Sequence, residues 1–214
     1  MPINHIAVVA FDCDGVMFDS ADANIAYYNQ ILAHLGRPAA SAAQAAYCHS
    51  HTVSESLAHL LAEVPDLLPE AETYRRRTGY HPFIRHMRME PHLRPLLTHL
   101  RGRCKTAVAT NRTDTMQRVL EEHALEGLFD LVVSAADVAR PKPHPEQLLT
   151  IIAHFGIRPH ELCFIGDSDL DQQAADAAGV PFIAFGNPEL TAVAHIDRLD
   201  RVLDLIDIRG STGD

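Results

Sequence analysis

The apolar run from Ile6 to Phe11, "IAVVAF", ends abruptly on Asp12, Cys13, Asp14 and Gly15. A stretch rich in Val and Ile with no polar alternation is the pattern of a strand covered on both faces, and such strands lie in parallel sheets. Ligands of open α/β sheets bind beyond the carboxyl ends of the strands, which is where Asp12 and Asp14 stand. Residues i and i+2 of an extended segment point the same way, so both carboxylates face one site, while Cys13 is expected to turn into the opposite face. Two anions so placed repel unless a cation lies between them or one carries a proton. The competing reading is an acidic turn wetted by solvent and closed by Gly15.

The rest of the chain repeats the strand signal at a distance. The next comparable run is "TAVATN", Thr106 to Asn111, followed by "FDLVVS", "LCFIGD" and "VPFIAF", with helical periodicity between them, including a helix expected from Thr113. That alternation is the signature of a doubly wound parallel sheet, an α/β fold of Rossmann-like type. The closing "DRLDRVLDLI" reads as one more helix. The gap before "TAVATN" is far longer than a crossover requires. Its apolar residues recur at helical spacing, as in Ile25, Tyr28, Leu32 and Leu35, or Val53, Leu57, Leu60 and Val64. Residues 20–90 are therefore expected to form an inserted all-helical domain, and residues 1–19 with 91–214 the core.

Composition narrows the partners. With 47% hydrophobic and 21% charged residues the chain is ordinary globular material, and a net charge of -10 disfavours a nucleic-acid backbone as ligand. No run approaches membrane-spanning length, and the start carries no basic leader pattern. The four cysteines form no CxxC pair and read as small core residues of a reducing compartment. The expectation is a cytoplasmic enzyme, monomer or homodimer, acting on a small molecule.

Four loops then fall at strand ends, each with its own chemistry. The first holds Asp12 and Asp14; the second, "ATNR", offers Thr110, Asn111 and Arg112 where a helix is expected to begin. The third, "RPKPHP", presents Lys142, one of only two lysines, between two prolines; the fourth, "GDSDLD", supplies Asp167 and Asp171. Carboxylates at two strand ends suit Mg²⁺, which is held by one or two carboxylates together with phosphate oxygens. A hydroxyl, a lysine and helix N-terminal amides suit the remaining oxygens of a phosphoryl group. The set describes phosphoryl transfer, in which positioning and charge neutralisation do most of the catalysis.

The order DxDGVxxDS, Thr-Asn, PKPxP, GDSxxD resembles the haloacid dehalogenase-like hydrolase superfamily, in its phosphoglycolate phosphatase-like and β-phosphoglucomutase-like branch. The resemblance implies Asp12 as nucleophile, Asp14 as general acid and base, and Thr110, Asn111 and Lys142 around the phosphoryl group. It implies Mg²⁺ held by the Asp12 side chain, the Asp14 backbone carbonyl and Asp167, with Asp171 supporting. The inserted helices would be a cap that chooses a small phosphorylated metabolite. Asp14 argues against carbon-attacking dehalogenases, and the absence of lysine between Ser20 and Glu90 against phosphonate hydrolases that use a cap Schiff base. The sugar phosphomutases carry histidine where this chain has Asn24 and a Gly-Val-Ser-Arg type loop where it has "HSHTVSES", so mutase is the alternative. In that loop His49 and His51 are the candidate substrate contacts, facing a second anionic group; a zinc site on Cys48, His49 and His51 is the weaker reading. Asp19 and Ser20 are read as capping the first inserted helix, and Arg75 to Arg77 as a solvated helix face. A phosphate-sensing module that has lost turnover remains the non-enzymatic alternative.

Overall fold

The computed structural model describes residues 3–208. In chain order the elements are β1 (Ile3–Ile6), β2 (Val8–Phe11), β3 (Phe18–Asp19), α1 (Ala21–His34), α2 (Ala42–Ser50), α3 (Val53–Leu60), α4 (Leu68–Thr78), α5 (His81–Ile84) and β4 (Arg88–Met89). Then follow α6 (Leu93–Leu100), β5 (Lys105–Thr110), α7 (Met116–Glu122), β6 (Leu131–Ser134), α8 (Glu146–Phe155), β7 (Leu162–Gly166), α9 (Asp169–Ala178), β8 (Phe182–Phe185), β9 (Ala194–Ile196), α10 (Val202–Leu205) and β10 (Ile206–Ile208).

Six strands make one parallel sheet in the order β6-β5-β2-β7-β8-β9. The unalternating run of β2 has its cause here. Val9 and Phe11 lie in one apolar cluster and Val8 and Ala10 in the other, so both faces are covered. Alanines 10, 107, 109, 174 and 175 all fall in the second cluster, where their short side chains leave room for α8 and α9 against the sheet. Cys13 is fully buried in the same cluster as Phe11.

The chain runs from β2 to β5 and β6 on one side, and then to β7, β8 and β9 on the other, so the strand order reverses at β2. Such a reversal opens a crevice at the carboxyl ends. Register sets Phe11 beside both Val108 and Ile165, which brings the loops after β2, β5 and β7 together.

Helices α1 to α5 lie between β3 and β4. These two short strands pair antiparallel, Phe18 with Met89 and Asp19 with Arg88, so the chain leaves and returns through one narrow ladder. The first apolar cluster is continuous across that ladder, joining Phe11, Phe18 and Leu93 to Tyr27, Ile31, Leu57 and Ile84.

Two expectations of secondary structure need correction, and one helix went unannounced. The closing "DRLDRVLDLI" is not one helix: a single turn at Leu199–Arg201 and the four-residue α10 give way to β10. Its Ile206 and Ile208 pair in parallel with Ile3 and Ile6 of β1, and β-branched side chains favour that extended pairing. The helix expected from Thr113 begins only at Met116, because the intervening loop follows the Arg112 side chain, whose Nη1 donates to Thr115 Oγ1 at 3.2 Å. Helix α2 has almost no apolar stripe to announce it, since only Cys48 is buried; its signal is the capping box formed by Ser41 and Gln44.

Candidate active site

The site is assembled where β2, β5 and β7 end. Lys142, on the loop before α8, is 2% exposed. Its ammonium lies 2.9 Å from Asp12 Oδ1, and donates to Asp171 Oδ1 at 2.6 Å and to the Ala109 carbonyl at 2.9 Å. Burial alone would lower the lysine's pKa, but the charges of Asp12 and Asp171 outweigh it and hold the group well above its ordinary value. Asp12 is shifted upward, first by burial and then by Asp171 and Asp14, with Lys142 pulling the other way.

Asp171 is fully buried at the start of α9. Its Oδ2 accepts from Ser168 Oγ at 2.5 Å and from the Ser168 amide at 3.1 Å, so this carboxylate is committed to bracing Lys142 and the loop. Asp167 completes the acidic group: one oxygen each from Asp12, Asp167 and Asp171 lies within 4.8 Å of the others. Burial, with Asp171 and Asp12 adding repulsion, holds Asp167 well above the usual carboxylate range. Two glycines make this approach possible. A Cβ on Gly166 would stand 2.4 Å from that of Asp171, and one on Gly15, whose φ is +80°, would stand 2.0 Å from Asp167 Oδ2.

Gly15→Ala is therefore expected to destabilise the fold by about 1–3 kcal/mol, from the left-handed backbone alone, and to displace Asp167. Chemical denaturation measures the first effect and Mg²⁺ titration the second; wild-type values in both would contradict this account of the loop.

Asp14 has different surroundings. Arg112 grips it with two bonds, Nε to Oδ2 at 2.8 Å and Nη2 to Oδ1 at 2.6 Å. Ser20 Oγ and Asn24 Nδ2 also donate to Oδ1. Burial pushes the carboxyl upward, but the Arg112 charge and hydrogen bonds, with His49 and Ser20, bring it below its ordinary value. The expected cap at Ser20 is thus corrected: α1 has no side-chain cap bond, because the fully buried serine hydroxyl is drawn to the stronger acceptor.

Several other candidates are redistributed. Asn111 does not present its amide as a free substrate contact. It donates to the Lys142 and Ser50 carbonyls at 3.0 and 3.2 Å and accepts from the Lys142 amide at 3.1 Å, which fixes the lysine's backbone. Thr110, 1% exposed, lines the cleft, and its Oγ1 accepts from the Arg112 amide at 3.2 Å. His51 also lines the cleft, but its ring stacks on Tyr47 at 3.6 Å and its Nδ1 meets the Tyr47 carbonyl at 2.9 Å. His49 is the opposite case, since its Nδ1 is buried at the cleft wall without a partner. Among the described residues the metal-competent group is Asp12, Asp167 and Asp171; Cys48, His49 and His51 form none, and Asp14's side chain is outside it. Arg75 is no solvated residue either: its side chain is 13% exposed, paired with Glu72 at 2.8 Å and turned to the cleft.

The cleft holds about 410 Å³ between Asp12, Asp14, Thr110 and Arg112 on the sheet side and His49, Arg75 and Tyr80 on the helical side. The roles of Arg112, Tyr80 and Ser20 escaped the sequence reading. Arg112 stood in plain view beside Asn111, yet nothing in the spacing of "ATNR" tells that its partner is Asp14.

The family model of the haloacid dehalogenase-like hydrolases matches residues 9–185. A phosphoglycolate phosphatase of Chromobacterium violaceum is 31% identical over 198 residues, covering 87% of each chain. The crystal structure of a hydrolase of the same superfamily, subfamily IA, from Geobacter sulfurreducens superposes with a TM-score of 0.77 at 40% identity, over 94% of this chain and 96% of that one. A β-phosphoglucomutase from Clostridium difficile shares the fold, with a TM-score of 0.78 at 20% identity over 92% of each chain.

Proposed function

Because this chain belongs to the haloacid dehalogenase-like hydrolase family, as a phosphatase of that family, we propose that it hydrolyses a small phosphomonoester through an aspartyl phosphate with the aid of Mg²⁺. A phosphoglycolate-like substrate is the first candidate, on the names of the curated relatives. The observation that carries the reading is the convergence of Asp12, Thr110, Lys142 and Asp167 at the ends of three adjacent strands and the loop before α8.

The donor set fits the ion. It offers oxygen alone, and three carboxylates face a single buried ammonium, an excess that a divalent cation neutralises. Asp12, Asp167 and the Asp14 carbonyl would hold it, with Asp171 supporting through Lys142. The bound ion supplies charge neutralisation for phosphate and nucleophile together.

In the first step Asp12 attacks phosphorus, the bond to the ester oxygen breaks, and Asp14, which takes up a proton from water when substrate enters and its Arg112 contact loosens, gives that proton to the ester oxygen. In the second, water attacks the aspartyl phosphate, Asp14 takes the water's proton, and the phosphorus bond to Asp12 breaks. Inorganic phosphate leaves and the pair returns to its starting state. Thr110 and Lys142 hold the phosphoryl oxygens throughout. Residues 20–90 act as a cap on a core of 1–19 and 91–214, closing over the cleft to exclude water.

Phosphate release from a panel of phosphoglycolate, sugar phosphates and nucleotides tests the reading. Turnover of at least one member should vanish in excess chelator and return with Mg²⁺. Unchanged turnover in chelator would contradict the metal assignment, and no turnover of any member the hydrolase reading itself.

A further inference from the structure

We propose that Arg112 is the specificity residue of this cleft: its guanidinium, held on Asp14, transfers to a second anionic group on the leaving side of the substrate, and only that transfer opens Asp14 to the leaving oxygen. The inference rests on the phosphomonoesterase reading above.

The geometry begins with the saturation of Asp14. Arg112 takes both oxygens, and Ser20 and Asn24 add donors to Oδ1, so neither oxygen is open to an incoming group. Ser20 and Asn24 are neutral and reach only Oδ1, whereas Oδ2 is held by Arg112 among the described residues, so Arg112 is the bond that has to be exchanged. Its side chain is only 7% exposed, so withdrawing it from Asp14 with nothing in return leaves a desolvated cation unpaired. A neutral alcohol offers no such return. A carboxylate or a second phosphate does, because the guanidinium fork matches either one bidentately.

The surroundings are arranged for that exchange. Arg112 stacks over the Tyr80 ring at 4.8 Å, and its Nη2 lies 3.4 Å from the Tyr80 hydroxyl and 3.5 Å from Asn24 Oδ1. These contacts come from the helical segment and steady the guanidinium without neutralising it. The cleft is also lined by Arg75, Arg76, Arg77 and Arg118, against Asp12, Asp14 and Asp114, so its walls carry more cations than anions in a chain of net charge -10. The unpartnered Nδ1 of His49 is a further polar atom waiting at the same wall.

Matched substrates test the proposal. Phosphoglycolate is compared with 2-hydroxyethyl phosphate, in which a hydroxymethyl replaces the carboxylate, and propane-1,3-diol bisphosphate with 3-hydroxypropyl phosphate. Wild-type kcat/KM should favour the anionic member of at least one pair by about 30- to 100-fold, the worth of a charged hydrogen-bonded pair. Arg112→Gln should bring that ratio near one from both directions, losing the anionic substrate and gaining on the neutral one because Asp14 is freed. Arg112→Lys, which keeps the charge but not the fork, should fall between, and unfolding midpoints establish that both variants are folded. A wild-type ratio near one in both pairs overturns the inference, as does an unchanged ratio in Arg112→Gln. Equal losses on both members would mark a merely structural ion pair and overturn it too. In each of these cases phosphate is still released and the hydrolase reading stands; release from none of the four overturns the inference, while the hydrolase reading falls only if the wider panel of sugar phosphates and nucleotides fails as well.

Discussion

Lys142→Met is expected to slow turnover about 10²–10³-fold and to destabilise the fold by about 3–5 kcal/mol at neutral pH. Methionine fills nearly the same space, so the loss is electrostatic. The ammonium that lies between Asp12 and Asp171 disappears, and two buried carboxylates are left facing each other. The pH dependence has a definite sign. Asp12 is already shifted upward by burial with Lys142 opposing, so removing the lysine raises it further. A carboxyl raised in the folded state binds its proton there more readily than in the unfolded chain, and stability then falls as pH rises through that interval. Chemical denaturation at a series of pH values should show the wild type losing the Asp12 contribution from the ordinary carboxylate range up to about pH 7, and the variant continuing to lose it above that value. Parallel curves would show that Lys142 is not the counter-charge on which Asp12 depends.

How far the sequence alone reached can be judged from particular residues. The run before Asp12 was legible because a strand covered on both faces leaves no room for polar alternation, and the acidic loops were legible because each follows such a strand. Asn24 was noticed only for not being histidine, whereas the structure places its amide on Asp14 and its carbonyl oxygen under the Tyr80 hydroxyl at 2.5 Å. Ser20 was visible but assigned the wrong partner, and the hydrogen bonds of Asn111 to the Lys142 backbone were not foreseen. The choice between a local cap and Asp14, or between substrate and the Lys142 backbone, depends on distances that no spacing encodes. Strands β9 and β10 went unread for a related reason: three residues at a sheet edge, or pairing with β1, carry too little pattern to compete with a helical period nearby.

The two aspartates are separable by chemistry. Asp12→Asn removes the attacking carboxylate and should abolish phosphoenzyme formation with every donor. Asp14→Asn keeps the nucleophile and nearly the same shape, so it loses chiefly proton transfer, about 10²–10⁴-fold. With an alkyl phosphate, whose leaving oxygen needs that proton, both variants should be inactive. With an acyl or nitrophenyl phosphate the leaving group departs unprotonated, so Asp14→Asn should still be phosphorylated while water attack on the intermediate slows.

Rapid-quench labelling of the two variants with radiolabelled acetyl phosphate is the direct measurement. Label should build up on Asp14→Asn and be absent from Asp12→Asn. Label on Asp12→Asn, or losses in Asp14→Asn as large with the acyl donor as with an alkyl one, would contradict the assignment of nucleophile and acid.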